Sequence, residues 1–391
     1  MGAGLGGMLL AVLAAGLAVA ANVADPPAET VLGQEDFTSG ACNGGGMDAE
    51  SLCTPHEIAV AGDGTLFVAD PKNNRVLGYA PPLSNGEEAG LALGQTDFTH
   101  GACNRGGRPS ASTLCQPQGV AFDADGNLYV GDFGNNRVLR YAPPFANGAA
   151  ARLVLGQADF VHHACNRVSH PAANTLCGPK TVMIDASGSL YVADATNNRV
   201  LRYAPPFANG AAARLVLGQA GFGASACNRG GRAAANTLCG PKALAMDGAG
   251  NLFVSDYTNN RLLRFTAPFS NGEAATLVLG QADFAHYTCN RGGRAAANTL
   301  CGPGGIAFDR AGDLYLADFA NHRALEYLPP FSDGMNAAGV LGQPDFTSAA
   351  CNQGSQPSAS TLCKPNSLTI VGATLYLADS GNNRALAYVL P

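Results

Sequence analysis

From Gly119 to Gly156 the chain alternates short apolar runs with turn dipeptides, a rhythm that suits strands. Gly119–Asp123 is an apolar run closed by the turn pair Asp125-Gly126. Asn127–Asp132 predicts a second strand, stopped by Gly134-Asn135-Asn136. Arg137–Tyr141 predicts a third, ended by Pro143-Pro144, with Asn147-Gly148 as another turn signal. Ala151–Gly156 predicts a fourth. No segment shows a convincing helical period.

The same pattern returns through the chain. Twelve cysteines fall into six pairs, Cys42/Cys53, Cys103/Cys115, Cys165/Cys177, Cys227/Cys239, Cys289/Cys301 and Cys351/Cys363, with successive pairs 61 or 62 residues apart. Six units of four short antiparallel strands predict an all-β fold, a six-bladed β-propeller. The two ends of the repeat are out of phase. After Cys363 there is room for only three strands, Ser367–Val371, Thr374–Asp379 and Arg384–Val389, while Thr30–Gln34 is a fourth strand with no blade before it. The N-terminal strand should therefore pair with the last blade and close the ring, leaving no long exposed edge. An open array would not require this offset. One propeller domain is expected over residues 30–391, after a short linker at 22–29.

The run G-N-L-Y-V-A-D-x-x-N-N-R-V-L-R-Y resembles the NHL-repeat signature. It stands as Gly188–Tyr203, with Ser189 in place of the Asn, and as Gly126–Tyr141, Gly250–Phe265 and Gly312–Tyr327. It is less complete at Gly64–Tyr79 and Gly372–Tyr388. The resemblance implies a propeller and leaves the chemistry open, because NHL-like propellers include sensors, interaction scaffolds, RNA binders and a few lyases.

Composition narrows the classes. A net charge of −6 argues against general nucleic-acid affinity, which needs clustered positive charge. Met8–Ala20 reads as the apolar core of a secretory signal with an Ala18-Val19-Ala20 cleavage site, giving a signal peptide over residues 1–21. The rival is an uncleaved anchor, since Leu5 to Ala24 is almost long enough to span a membrane. Both readings place the propeller outside the cytoplasm, secreted or in the cell envelope, where disulfides persist. Eleven residues intervene within five of the cysteine pairs and ten in the first, a spacing unlike the C-x-x-C of zinc sites. Disulfides within each unit are expected, pinning six loops on one face, here called the upper face.

In a ring of near-copies, residues present in every unit serve needs common to all blades. The recurring Asp of the Asp-x-x-Asn-Asn-Arg turn and its Arg are read as fixing the upper turns. The Gly-Gln-x-Asp-Phe segment is read the same way. Ligand contacts are expected where copies differ. Immediately after the proline entering each inner strand stand His56, Gln118, Lys180, Lys242, Gly304 and Asn366, with Glu57, Thr181 and Ser367 as polar neighbours. These should ring the mouth of the central channel. Phe133, Tyr257 and Phe319 follow the repeated Asp and offer rings for stacking, or pack under the cysteine loops. Arg105, Arg108, Arg167, Arg229, Arg232, Arg291 and Arg294 form a basic arc in the second to fifth loops, solvated or facing an anionic partner. His100, His162 and His286 share a position but belong to different blades, which argues against a common metal.

A binding module is expected rather than an enzyme, monomeric and without cofactor or membrane span in the mature chain, with an unidentified protein, peptide or glycan as partner. The alternative is a metal-dependent lyase or lactonase-like enzyme, with Ca²⁺ or Zn²⁺ at the channel mouth and Glu57 and Asn366 among its ligands.

Overall fold

The computed structural model describes residues 26–391. The expected signal peptide and the first half of the linker, residues 22–25, lie outside the described residues. Six four-stranded antiparallel sheets follow one another around a ring. In the second blade the strands are Pro117–Phe122, Leu128–Asp132, Arg137–Tyr141 and Leu153–Leu155. The outer strand is shorter than the apolar run that encodes it, and the inner strand begins earlier. The sixth blade takes its outer strand from the other end of the chain: Thr30–Leu32 pairs with Arg384–Val389, Val31 opposite Leu386. The ring is closed as its phase offset requires. Among the described residues no helix is long and apolar enough to cross a membrane.

The core lies between blades. Tyr129 and Val138 of blade 2 pack with Val182, Leu190 and Val192 of blade 3, all buried. Leu32, Ala378 and Ala385 of blade 6 do the same with Ile58, Leu66 and Val68 of blade 1, so hydrophobic burial closes the ring as well as pairing does.

The upper face is held by a polar lattice repeated in every blade. In blade 3 Asp194 and Arg199 are both fully buried. Arg199 Nε donates to Asp194 Oδ2 at 2.7 Å, and Asn197 donates to the same oxygen at 2.8 Å. Oδ1 accepts the backbone N–H of Cys177 at 2.7 Å. The rest of the guanidinium donates to the carbonyls of Phe222, Ala172 and Thr175. One ion pair therefore ties the strand turn, the cysteine loop and the segment Gly218–Phe222 together, a segment in which Gly221 stands where the other units have Asp. The neighbouring asparagines divide the work. Asn197 exchanges two hydrogen bonds of 2.9 Å with Asn166 of its own loop, while Asn136 of blade 2 accepts from Gly178 at the start of blade 3.

All six disulfides form within their own unit, spanning 11 residues in the first and 12 in the others. The described cysteines include no free thiol.

Stripping one partner from a buried ion pair costs about 3–5 kcal/mol, against roughly 2.5–3 kcal/mol for opening a twelve-residue disulfide loop. Arg199→Met should therefore destabilise the protein more than the pair Cys165→Ser/Cys177→Ser. Urea unfolding of the two variants measures both losses, and the reverse order would show that the bridges, not the lattice, hold the face.

Candidate functional site

In blades 2 to 6 the inner strand enters with a proline opposite the buried Asp, and the pairing then slips. Pro117 faces Asp132 and the register shifts before Gly119; Pro179 faces Asp194 and the shift ends at Val182; Pro365 faces Asp379 with the shift before Ser367. Such irregularities leave residues out of the ladder and re-aim their side chains. Gln118, Lys180, Lys242 and Asn366 sit in them. This is the physical reason that the residue after the proline reaches the axis.

A cavity of about 20 Å³ lies there, lined by His56, Glu57, Gln118, Lys180, Thr181, Lys242, Ala243, Gly305, Asn366 and Ser367. That is room for one water or a small ion. Blade 5 contributes Gly305 in place of the expected Gly304. Gly304 carries no side chain for a steric reason: a Cβ there would lie 2.5 Å from the carbonyl oxygen of Asn366. Its own carbonyl accepts a 2.6 Å hydrogen bond from Ser255.

The lining residues divide by role. Glu57 reaches across blades, its Oε2 accepting from Val120 N–H at 3.1 Å, with Thr181 hydroxyl and Val182 N–H as further donors. Burial pushes its carboxyl well above the usual range, and these donors oppose the shift. Gln118 Oε1 is buried without a partner among the described residues. Lys242 is 7% exposed, its Nζ 4.4 Å from the Phe319 ring centroid and 5.0 Å from that of Tyr257. Lys180 Nζ lies 5.3 Å from the same Tyr257 ring. Two ammonium groups thus share one aromatic ring, and neither makes an ion pair among the described residues. Burial, and then the charge of Lys180, holds the Lys242 pKa well below its ordinary value. Burial, then Lys242 and Lys180, lowers that of His56. The mouth therefore brings together two lysines, a histidine and one carboxyl, all with their charged forms disfavoured by burial.

Tyr257 and Phe319 meet edge to face at 6.3 Å. Phe133 lies against Gly178 of the next loop, as Tyr257 lies against Gly302, so both rings pack against the cysteine loops, and Tyr257 carries the two lysines as well. The basic arc is smaller than its sequence suggests. Arg105, Arg167, Arg229 and Arg291 are half-buried and donate to carbonyls of Gly94, Gly156, Gly218 and Gly280; Arg108, Arg232 and Arg294 stay exposed. His100, His162 and His286 each hydrogen-bond the Asp three residues before, at 2.8, 2.8 and 2.7 Å, in separate exposed turns. The grouping of His322 with Cys351 and Cys363 offers no thiolate, because those cysteines are bridged, and His322 Nδ1 accepts the N–H of Lys364.

Six four-stranded blades with this turn lattice define the class as a β-propeller of repeated units. The NHL repeat family matches residues 114–141 and 300–323, in blades 2 and 5, so these two blades carry NHL repeats. It is similar to teneurin-3 of Mus musculus, 29% identical over 236 residues, 57% of this chain and 8% of that protein. Against teneurin-3 of Danio rerio it is 26% identical over 281 residues, 66% of this chain and 10% of that protein. The chain thus spans about a tenth or less of the length of these curated relatives. Among solved structures, a Bacteroides thetaiotaomicron protein of unknown function aligns with a TM-score of 0.54 at 15% identity, covering 92% of this chain and 74% of that one, a likeness of fold.

The depressed Lys242 pKa gives a stability prediction. Between that pKa and the ordinary 10.5, the unfolded chain binds more protons than the native one, so stability rises with pH across this window. Lys242→Met should be more stable than wild type at neutral pH, and the gap should narrow as pH approaches 10.5. Urea titrations at several pH values check this; a pH-independent gap would mean that the ammonium is not strained.

Proposed function

We propose that this propeller is an extracytoplasmic binding module that engages its ligand on the disulfide-looped face, with an anionic group of the ligand seated over the channel mouth. The observation that carries the reading is Lys180 and Lys242 converging without a carboxylate partner. Cation–π contacts are worth about 0.5–2 kcal/mol each, whereas withdrawing a charge from water costs several kcal/mol. The rings leave much of that cost uncompensated, and an anion from outside would offset it. The orphaned Gln118 amide adds a polar group able to orient the ligand. A carboxylated or sulfated glycan, or an acidic peptide, supplies the required chemistry. Six disulfides suit an oxidising compartment, consistent with secretion or display in the envelope.

The metal-dependent alternative needs a divalent cation held by Glu57 and Asn366 beside the two lysines. Like-charge repulsion opposes that, and the Glu57 carboxylate already accepts from blades 2 and 3.

On arrays of acidic and neutral glycans and peptides, the wild type should favour acidic probes. Lys180→Met/Lys242→Met should weaken that binding at least tenfold, as should raising pH, because the anion binds the protonated ammonium. Equal binding by the double variant would remove the mouth from the account.

A further inference from the structure

The first cysteine loop lacks a side chain that the others use as an internal plug. In loops 2 to 5 the second residue after the first cysteine is an arginine, in a left-handed backbone conformation with φ of 54–55°. Arg105 shows what it does: Nε donates to Gly94 O at 3.1 Å and Nη2 to Ser112 O at 2.7 Å. Arg167, Arg229 and Arg291 make the corresponding Nε contact at 3.3–3.4 Å. In loop 6 Gln353 reaches the same carbonyl, that of Gly342, at 3.4 Å.

Loop 1 has Gly44 at this position. The register is fixed by three shared contacts. Asn43 pairs with Asn73 as Asn104 pairs with Asn135, Asn43 N–H donates to Leu52 O as Asn104 N–H does to Leu114 O, and Gly44 N–H donates to Ala41 O as Arg105 N–H does to Ala102 O. Gly44 keeps the left-handed backbone, with φ of 46°, and a Cβ added there would meet nothing within 4 Å. Where the arginine would lie there is a cavity of about 340 Å³. Its lining includes Gly33, the counterpart of Gly94, and Glu50, the counterpart of Ser112. It also includes Glu35 and Asp48, so three carboxylates surround a slot whose counterparts hold a guanidinium. None of the three makes an ion pair among the described residues.

We infer that the first loop is a socket for a guanidinium supplied from outside, an arginine side chain presented by a partner protein. Backbone carbonyls of this geometry already receive guanidinium N–H donors elsewhere in the ring, and the added carboxylates make the first slot attract a mobile cation where the others need only hold a tethered one. Arginine is favoured over lysine because the slot offers several acceptors to a planar fork rather than one point charge a single partner. The socket is separate from the channel mouth and opposite in charge, so it stands or falls independently of the anion site.

The test is an NMR titration of the wild-type protein with N-acetyl-arginine amide, N-acetyl-lysine amide and CaCl₂, following the amides of Gly33, Gly44, Gly45 and Gly46. The arginine probe should give saturable shifts confined to loop 1, with the lysine probe at least tenfold weaker and calcium without effect there. Gly44→Arg should abolish binding by filling the slot from within, and should raise Tm. Asp48→Asn/Glu50→Gln, which leaves the backbone glycine in place, should weaken binding at least fivefold. The proposal is overturned by an absence of saturable shifts, by lysine or calcium matching arginine, by a Gly44→Arg protein that binds as wild type or melts lower, or by undiminished binding in the carboxylate variant.

Discussion

The upper face depends on one interaction, the buried ion pair between the last residue of the second strand and the first residue of the third. Asp70–Arg75 and Asp379–Arg384 at the two ends of the chain repeat the 2.7–2.9 Å contact made in every blade. A buried pair of this kind contributes little net stability by itself. Its value lies in what it organises: the Asp also caps a cysteine N–H, and the Arg gathers carbonyls from two further segments. Every polar group of the pair itself finds a partner, and long loops that would otherwise be mobile become walls. The disulfides then reinforce loops whose positions are already set.

Because the lattice is the same in each blade, variation is confined to positions it does not use. The residue after the entry proline is one, freed by the strand irregularity and turned to the axis. The second position after the first cysteine is the other, where loop 1 substitutes glycine for arginine. These departures have opposite polarity. The mouth gathers two lysines that make no ion pair among the described residues, its one carboxyl, Glu57, being engaged by donors of blades 2 and 3, and the first loop concentrates carboxylates without a cation. A partner with both an acidic group and an arginine would find complementary sites on one face, which favours orientation and encounter more than raw affinity.

Strand order, ring closure and cysteine pairing were legible in the sequence because period-2 runs, turn dipeptides and the 62-residue repeat all point to the same fold. The mouth residues were legible for a related reason: near-copies expose their own exceptions. What was not legible rests on side-chain direction. Arg105 and Arg108 stand three residues apart in one loop, yet the first bonds Gly94 and Ser112 while the second is exposed, and charge counting treats them alike. Glu57 reads as a free polar neighbour, but its carboxylate is spent on backbone donors of two other blades. The open slot beside Gly44 is defined by the Arg105 side chain that fills its counterpart, and a glycine in a glycine-rich loop carries no signal of its own.

The central claim is that the ion-pair lattice makes the cysteine loops as rigid as the strands beneath them. Native-state hydrogen exchange reads this directly at the N–H groups of Cys53, Cys115, Cys177, Cys239, Cys301 and Cys363, each of which donates to its blade's Asp. They should exchange only through global unfolding, at the pace of a central strand amide such as Val192. Exchange at the rate of an exposed turn such as Asp125-Gly126, with the strands still protected, would contradict the account.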